Sequence, residues 1–226
     1  MPALPAFDPR QVPVTGIDTH LPAVPTSALT AAAIRERVGR ALAWTPEFHT
    51  EVRFSDRPPT EAAVLVPLVE REGLTVLLTQ RTAHLNSHSG QIAFPGGKVD
   101  PEDRDAAHTA LREAQEEVGL DPALAEVLGT LPAYATGSGF IVTPVLALVS
   151  PQATLVPNPH EVADVFEVPL AFLMNPAHHR HHEVEWAGQK RHWMSMPYVQ
   201  DQHERFIWGA TAAMLRNLYG YLRAAP

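Results

Sequence analysis

Apolar positions follow two rhythms along this chain. Residues 62–69 and 74–79 are nearly continuous and β-rich, and the polar stretch 70–73 between them ends in glycine. That pattern predicts a hairpin buried on at least one face. Similar runs at 127–131, 141–149 and 164–168 predict three more strands. Pro144 sits inside the second of these, so an edge or a bulge is expected there. Elsewhere the period lengthens. Ala106, Ala107, Ala110, Leu111, Ala114 and Val118 share one face of a helix over 105–118, and Gly119 supplies a left-handed stop. Ala31, Ile34, Val38, Ala41 and Leu42 predict a surface helix over 29–43, capped by Thr26 or Ser27, with Arg35, Glu36, Arg37 and Arg40 outward. An amphipathic helix over 208–223 closes the chain.

Pro2, Pro5, Pro9, Pro13, Pro22 and Pro25 remove donors and fix φ through residues 1–28, which therefore read as an extended arm. Residues 29–226 form one domain. Strands and helices do not alternate as in a doubly wound sheet, so the class is α+β, with a mixed sheet sandwiched between helices.

Hydrophobic content of 45% with 19% charged residues is that of a globular chain. Seventeen Lys+Arg against 25 Asp+Glu leave a net charge of −8, which repels a nucleic-acid polymer but not a small phosphorylated ligand paired with a cation. The absence of cysteine excludes disulfides, thiolate metal sites and a Cys nucleophile. No basic segment leads into an apolar one at the N-terminus, and the apolar runs are strand-sized, so a cytoplasmic protein without membrane contact is expected.

The chemistry concentrates in residues 96–120, GGKVDPEDRDAAHTALREAQEEVGL. On a helix, Glu113, Glu116 and Glu117 project from one side. Like charges so spaced repel, and Arg112 can offset only part of the repulsion. A bare Glu-x-x-Glu-Glu reads as a solvated face. Here an alanine-rich opposite face, a preceding Pro-Gly-Gly turn and a terminating glycine point instead to a hard divalent cation with oxygen ligands, Mg²⁺ or Mn²⁺.

This segment resembles the signature of the Nudix hydrolases, Gly-x5-Glu-x7-Arg-Glu-(apolar)-x-Glu-Glu-x-Gly-(apolar). The second half is complete from Arg112 to Leu120, so the box spans 97–120. The first half places Asp103 where glutamate is usual and sets eight residues between it and Arg112. Upstream, LLTQRTAHLNSHSGQIAFPGG (77–97) is similar to the LLTxR…GxxxFPGG segment of the coenzyme A pyrophosphatases within that superfamily, whose box has the same stretched spacing. Asn86 stands where that pattern usually has arginine. The likeness runs over roughly residues 60–223.

The resemblance implies a Nudix-type α/β/α sandwich and cleavage of coenzyme A into 4′-phosphopantetheine and 3′,5′-ADP by in-line attack of water. It implies divalent cations held by Glu113, Glu116, Glu117 and the carbonyl of Gly97, with no covalent nucleophile. The general base would be a box glutamate or Glu161, which reads equally as a surface acid starting a strand. Arg81 either grips a phosphate or pairs with a box glutamate. His88 and Gln91 are further substrate contacts. Tyr134, Phe140 and Trp208 can stack on adenine or serve as core. Two rivals are a Nudix hydrolase of ADP-ribose, a dinucleotide or a nucleoside triphosphate, and a silent nucleotide-binding regulator. The latter commonly lacks box glutamates that are all present here.

The HHRHH run at 178–182 reads as a solvated loop, since adjacent histidines diverge and Arg180 stands among them. Thr136-Gly137-Ser138-Gly139 reads as a turn. A homodimer with the N-terminal arm over its neighbour is compatible with this reading.

Overall fold

The computed structural model describes residues 8–40, 43–53, 58–82, 90–186 and 188–225. In chain order the first elements are β1 (Val14–Ile17), α1 (Ala31–Val38), β2 (Thr60–Glu70), β3 (Leu74–Arg81), β4 (Ile92–Ala93), β5 (Gly96–Lys98) and α2 (Ala106–Val118). There follow β6 (Ala125–Thr130), β7 (Tyr134–Ala135), β8 (Phe140–Val149), β9 (Val162–Pro169) and α3 (Leu170–Leu173). The chain ends in β10 (Arg180–Trp186), β11 (Gln189–Gln200), β12 (His203–Trp208) and α4 (Gly209–Arg223).

The larger sheet has the order β4-β3-β2-β8-β6, with β9 on β3, β5 on β2 and β7 on β8. β2 runs parallel to β8 from Thr60 opposite Phe140 to Val69 opposite Val149, and its other pairings are antiparallel, so the sheet is mixed. Because β2 and β8 are central, both faces of their continuous apolar runs are used. Ala63, Leu65, Leu77, Val145 and Ala147 pack under Ala110, Ala114 and Val118 of α2, whose small side chains let the helix lie close. Alternate residues, including Val66, Leu68, Val76, Leu78 and Leu146, face the opposite way. There they meet Met194, Met196, Ile207, Met214 and Leu215.

That opposite layer is a second, four-stranded antiparallel sheet, β1-β10-β11-β12, together with α4. The α+β class and the mixed sheet match the expectation; the second sheet was not foreseen. Its cause is long-range pairing of strands too polar to announce themselves.

Four local expectations need correction. Residues 8–28 do not stand off as an arm, since β1 pairs with β10 and buried Asp18 joins the interior. α1 begins after Thr30, whose side chain accepts from Ala33 N–H, so neither Thr26 nor Ser27 caps it. α1 also ends at Val38, short of residue 43. Pro144 lies in a central strand without a bulge of its own. Its carbonyl accepts from Leu131 N–H beyond the end of β6 and before β7, so the missing donor falls in a break between partners. α4 is buried nearly all round, Arg216 and Asn217 included, because it is wedged behind the second sheet.

Candidate active site

The acidic helix is set in place by its ends. Asp105 caps α2 by accepting from His108 N–H at 2.8 Å, and Gly119 closes it with φ 68°. Val156 and Asn158 N–H donate to the carbonyls of Val118 and Glu117 at 2.8 and 2.9 Å, folding the loop between β8 and β9 over that end. Arg112 clamps the other side. Its Nε and Nη2 grip Asp103 at 3.1 and 2.9 Å, and Nη2 also reaches the Lys98 carbonyl at 3.1 Å. Asp103 further accepts from Thr109 Oγ1 and Asp100 N–H, and this partnership holds its carboxyl far below the ordinary range. The residue that departs from the signature is therefore an anchor for the loop between β5 and α2.

Glu117 faces inward, only 4% exposed. Gly96 N–H donates to its Oε2 at 3.1 Å and Arg81 Nη1 lies 3.5 Å from its Oε1. Burial pushes this carboxyl up to about 7 against those two partners, and the charges of Glu113 and Glu161 add to the rise. Glu113 is also raised, by burial first, with Arg112 at 3.0 Å opposing and Glu116 and Glu161 adding. A Cβ at Gly97 would displace the Glu113 carboxylate from where it lies. Gly96 is the sterically required one, since a Cβ would strike the backbone of Ala63 and Val64 across β2. Glu116 is exposed and lies 3.3 Å from Arg112.

Through Arg81 and Gly96, the two partners of Glu117, the acidic helix adjoins a cavity of about 630 Å³ between the two sheets. Arg81, Gln91 and Gly96 line it from the larger sheet, and His192, Trp193 and Trp208 from the smaller. The volume is ample for a nucleotide-sized ligand. Arg81 Nε is buried without a hydrogen-bond partner among the described residues, although Nη1 reaches Glu117.

Among the described residues, no three His, Asp or Glu side chains form a ready-made metal cage. Glu113 and Glu117 instead lean on Arg112, Arg81 and Gly96 N–H. The donor chemistry nevertheless fits a hard divalent cation. Two carboxylates forced together in a buried setting hold their charge poorly, and neutralising it needs oxygen-seeking positive charge.

Of the residues singled out from the sequence, Glu113, Glu117, Arg81 and Gly97 come together beside the cavity and Gln91 lines it, while Glu116 is exposed and paired with Arg112. Glu161 lies at the end of the loop between β8 and β9, its carbonyl accepting from Thr82 N–H at 3.0 Å. Its charge is close enough to act on both inner glutamates. His88 and Asn86 lie outside the described residues. Tyr134 is buried and donates to Glu51 Oε1 at 2.7 Å, while Glu51 Oε2 accepts from Gly137 N–H at 2.8 Å. Glu51, which ties the Thr136–Gly139 turn to the cavity wall, carries no periodic or motif signal in the sequence.

The histidine run is the main correction. His179 and His182 are buried, and β10 begins within the run. Arg216 Nη1 donates to His179 Nδ1 at 3.0 Å, so the His179 Nε2 proton points at the Leu173 carbonyl, 2.7 Å away. Likewise His182 Nδ1 faces the Val12 carbonyl at 3.0 Å, and Nε2 accepts from Ser195 Oγ at 2.8 Å. Neutral imidazoles satisfied at both nitrogens tolerate burial, and burial lowers His179 to about 4.

The NUDIX domain family matches residues 59–205. The chain is 45% identical over 158 residues to the "Uncharacterized Nudix hydrolase NudL" of Pectobacterium atrosepticum, covering 70% of this chain and 80% of that protein. With the protein of the same name from Escherichia coli K12 it shares 41% identity over 159 residues, again 70% and 80% of the two chains. Among solved structures, a Nudix hydrolase from M. smegmatis, RenU, is 26% identical, with a TM-score of 0.43 over 50% of this chain and 73% of that one. The chain belongs to the Nudix family, whose hydrolases act on nucleoside diphosphate derivatives and generally need divalent cations. No helix among the described residues is long and apolar enough to cross a membrane.

Proposed function

We propose that this Nudix hydrolase cleaves the pyrophosphate of coenzyme A and its derivatives. One set of contacts carries the reading. Arg81 and Gly96, near opposite ends of the segment that resembles the coenzyme A pyrophosphatases, both bond the buried carboxylate of Glu117 beside the cavity. In this reading Mg²⁺ or Mn²⁺, held by Glu113, Glu116, Glu117 and the Gly97 carbonyl, neutralises the pyrophosphate charge when bound. Water attacks one phosphorus in line, and the bond from that phosphorus to the bridging oxygen breaks. The products are 4′-phosphopantetheine and 3′,5′-ADP. Glu161 takes the proton from the water. Arg81 holds a phosphate oxygen, Gln91 and His88 contact the substrate, and the apolar walls exclude bulk water.

The test is a product assay with Mg²⁺ or Mn²⁺ on coenzyme A, 3′-dephospho-coenzyme A, ADP-ribose and NADH. Release of 3′,5′-ADP from coenzyme A, favoured over the other substrates and lost in Glu117→Gln, is the expected result. Turnover of ADP-ribose with coenzyme A untouched would overturn the assignment of substrate.

A further inference from the structure

The cavity floor on the larger sheet follows from strand pairing. Gly96 of β5 stands opposite Val64 of β2, and Val142 of β8 stands opposite Tyr134 of β7. Ala62, two residues before Val64, is the partner of Val142, so the four residues share one face of the sheet, and all four line the cavity. Three ladder spacings, about 14 Å, separate β5 from β7 along this floor.

At the β5 end lies Glu117 with its partners Gly96 N–H and Arg81. A second carboxylate, Glu51, stands at the β7 end. Its N–H donates to the Ala135 carbonyl at 2.8 Å, which lays residues 49–51 beside β7. The side chain lines the cavity half-buried, with Oε1 accepting from Tyr134 Oη and Oε2 from Gly137 N–H. Burial raises the Tyr134 phenol, and the adjoining carboxylate adds to the rise, so the phenol keeps its proton and stays a donor. Among the described residues no cation is paired with Glu51. Each of its oxygens has accepted one bond and keeps a second lone pair. This end of the floor therefore offers acceptors and repels anions.

Coenzyme A has two unlike halves. The 3′,5′-ADP half carries an additional phosphate, whereas the pantetheine arm is uncharged and bears amide N–H groups and a hydroxyl. We propose that Glu51 is a specificity-determining residue that draws the pantetheine arm along this floor, accepting from its N–H donors, and turns the 3′-phosphate half away. The inference rests on the reading that the pyrophosphate of coenzyme A lies at the Glu113–Glu117 end. It adds which half of the substrate enters the cavity and which side chain decides it.

The experiment is calorimetric titration, with Mg²⁺ present, of 4′-phosphopantetheine, 4′-phosphopantothenate and 3′,5′-ADP into the wild-type chain, Glu51→Ala and Glu51→Gln. The second ligand is the same arm cut back to a carboxylate. The wild type is expected to bind 4′-phosphopantetheine about tenfold more tightly than 4′-phosphopantothenate, the worth of one hydrogen bond to a charged group. Glu51→Ala should weaken 4′-phosphopantetheine by a similar factor and leave 3′,5′-ADP unchanged. Glu51→Gln, which sheds the charge but keeps an acceptor, should narrow the gap between the two arms. Melting curves check both variants. Should Glu51→Ala fail to fold, Glu51→Gln decides, because glutamine still bonds Tyr134 and Gly137. Equal weakening of 3′,5′-ADP and 4′-phosphopantetheine, an unaltered gap in Glu51→Gln, or a wild type that does not bind 4′-phosphopantetheine would overturn the proposal. The expected binding pattern in a chain that leaves coenzyme A intact would overturn the activity above and leave this assignment standing. Coenzyme A turnover without that pattern would do the reverse.

Discussion

Two clusters of like side chains, the glutamates of α2 and the histidines leading into β10, meet opposite fates. Glu113, Glu116 and Glu117 stay on one side of a helix, and burial raises the inner two because each carboxylate can shed its charge only by taking a proton or a cation. His179 and His182 are buried as deeply and strain nothing, since a neutral imidazole offers one donor and one acceptor and each finds its partner. A clustered acid thus advertises a ligand, whereas a clustered histidine equally serves as a neutral joint. Here the joints weld Val12 and Asp18 near the N-terminus, and Arg216 of α4, onto β10.

The contrast can be broken at its strongest point first. Glu117→Gln should lower kcat about 10³-fold, roughly 4 kcal/mol of barrier, measured by steady-state hydrolysis. The same variant should melt no lower than wild type at pH 8. A carboxylate raised from 4.5 to about 7 on folding costs stability as pH climbs through that window, and glutamine carries no such cost while still accepting from Gly96 N–H. A marked fall in its melting temperature would place the glutamate among the joints.

Arg216→Ala should show the opposite signature. It strips Asp18, Glu47 and His179 of one buried guanidinium, and about 3–4 kcal/mol of unfolding free energy should go in urea titration. Acid probes the same network without mutation. His179 falls from 6.5 to about 4 on folding, so between those values the unfolded chain binds the extra proton and stability declines as pH falls. Fully expressed, that shift is worth about 3 kcal/mol, with none of it lost above pH 6.5, and chemical denaturation at stepped pH reads it. The smallest change is Gly119→Ala. The left-handed φ of 68°, with Val156 backbone 3.1 Å from the added Cβ, should cost about 1–2 kcal/mol by the same titration.

Legibility follows the range of the interactions. Strands β2, β3, β6, β8 and β9 and helices α2 and α4 lie where apolar periodicity puts them, to within a few residues. Glu113 and Glu117 are legible because their spacing, the alanine face and the glycines are all local to one stretch of chain. In the sequence Asp103 is only a departure from a pattern; that it grips Arg112 depends on how the intervening loop folds back. Glu51 and His192 left no trace. Their partners, Tyr134 and Gly137 for one, His181 and through it Asp18 for the other, are set by pairing between distant strands.

Amphipathic period, capping residues and the charge of a short acidic run are properties of neighbours in the chain. They were enough to define the α+β class and to single out the acidic helix as the candidate for cation binding. The second sheet, the cavity between the sheets and the hydrogen-bond partners of the histidines arise from contacts between residues far apart in sequence. A hydrogen-bond donor carries no mark of which distant acceptor it will meet. Only packing the apolar faces of both sheets against one another brings Asp18, His181 and His192 into one hydrogen-bonded line.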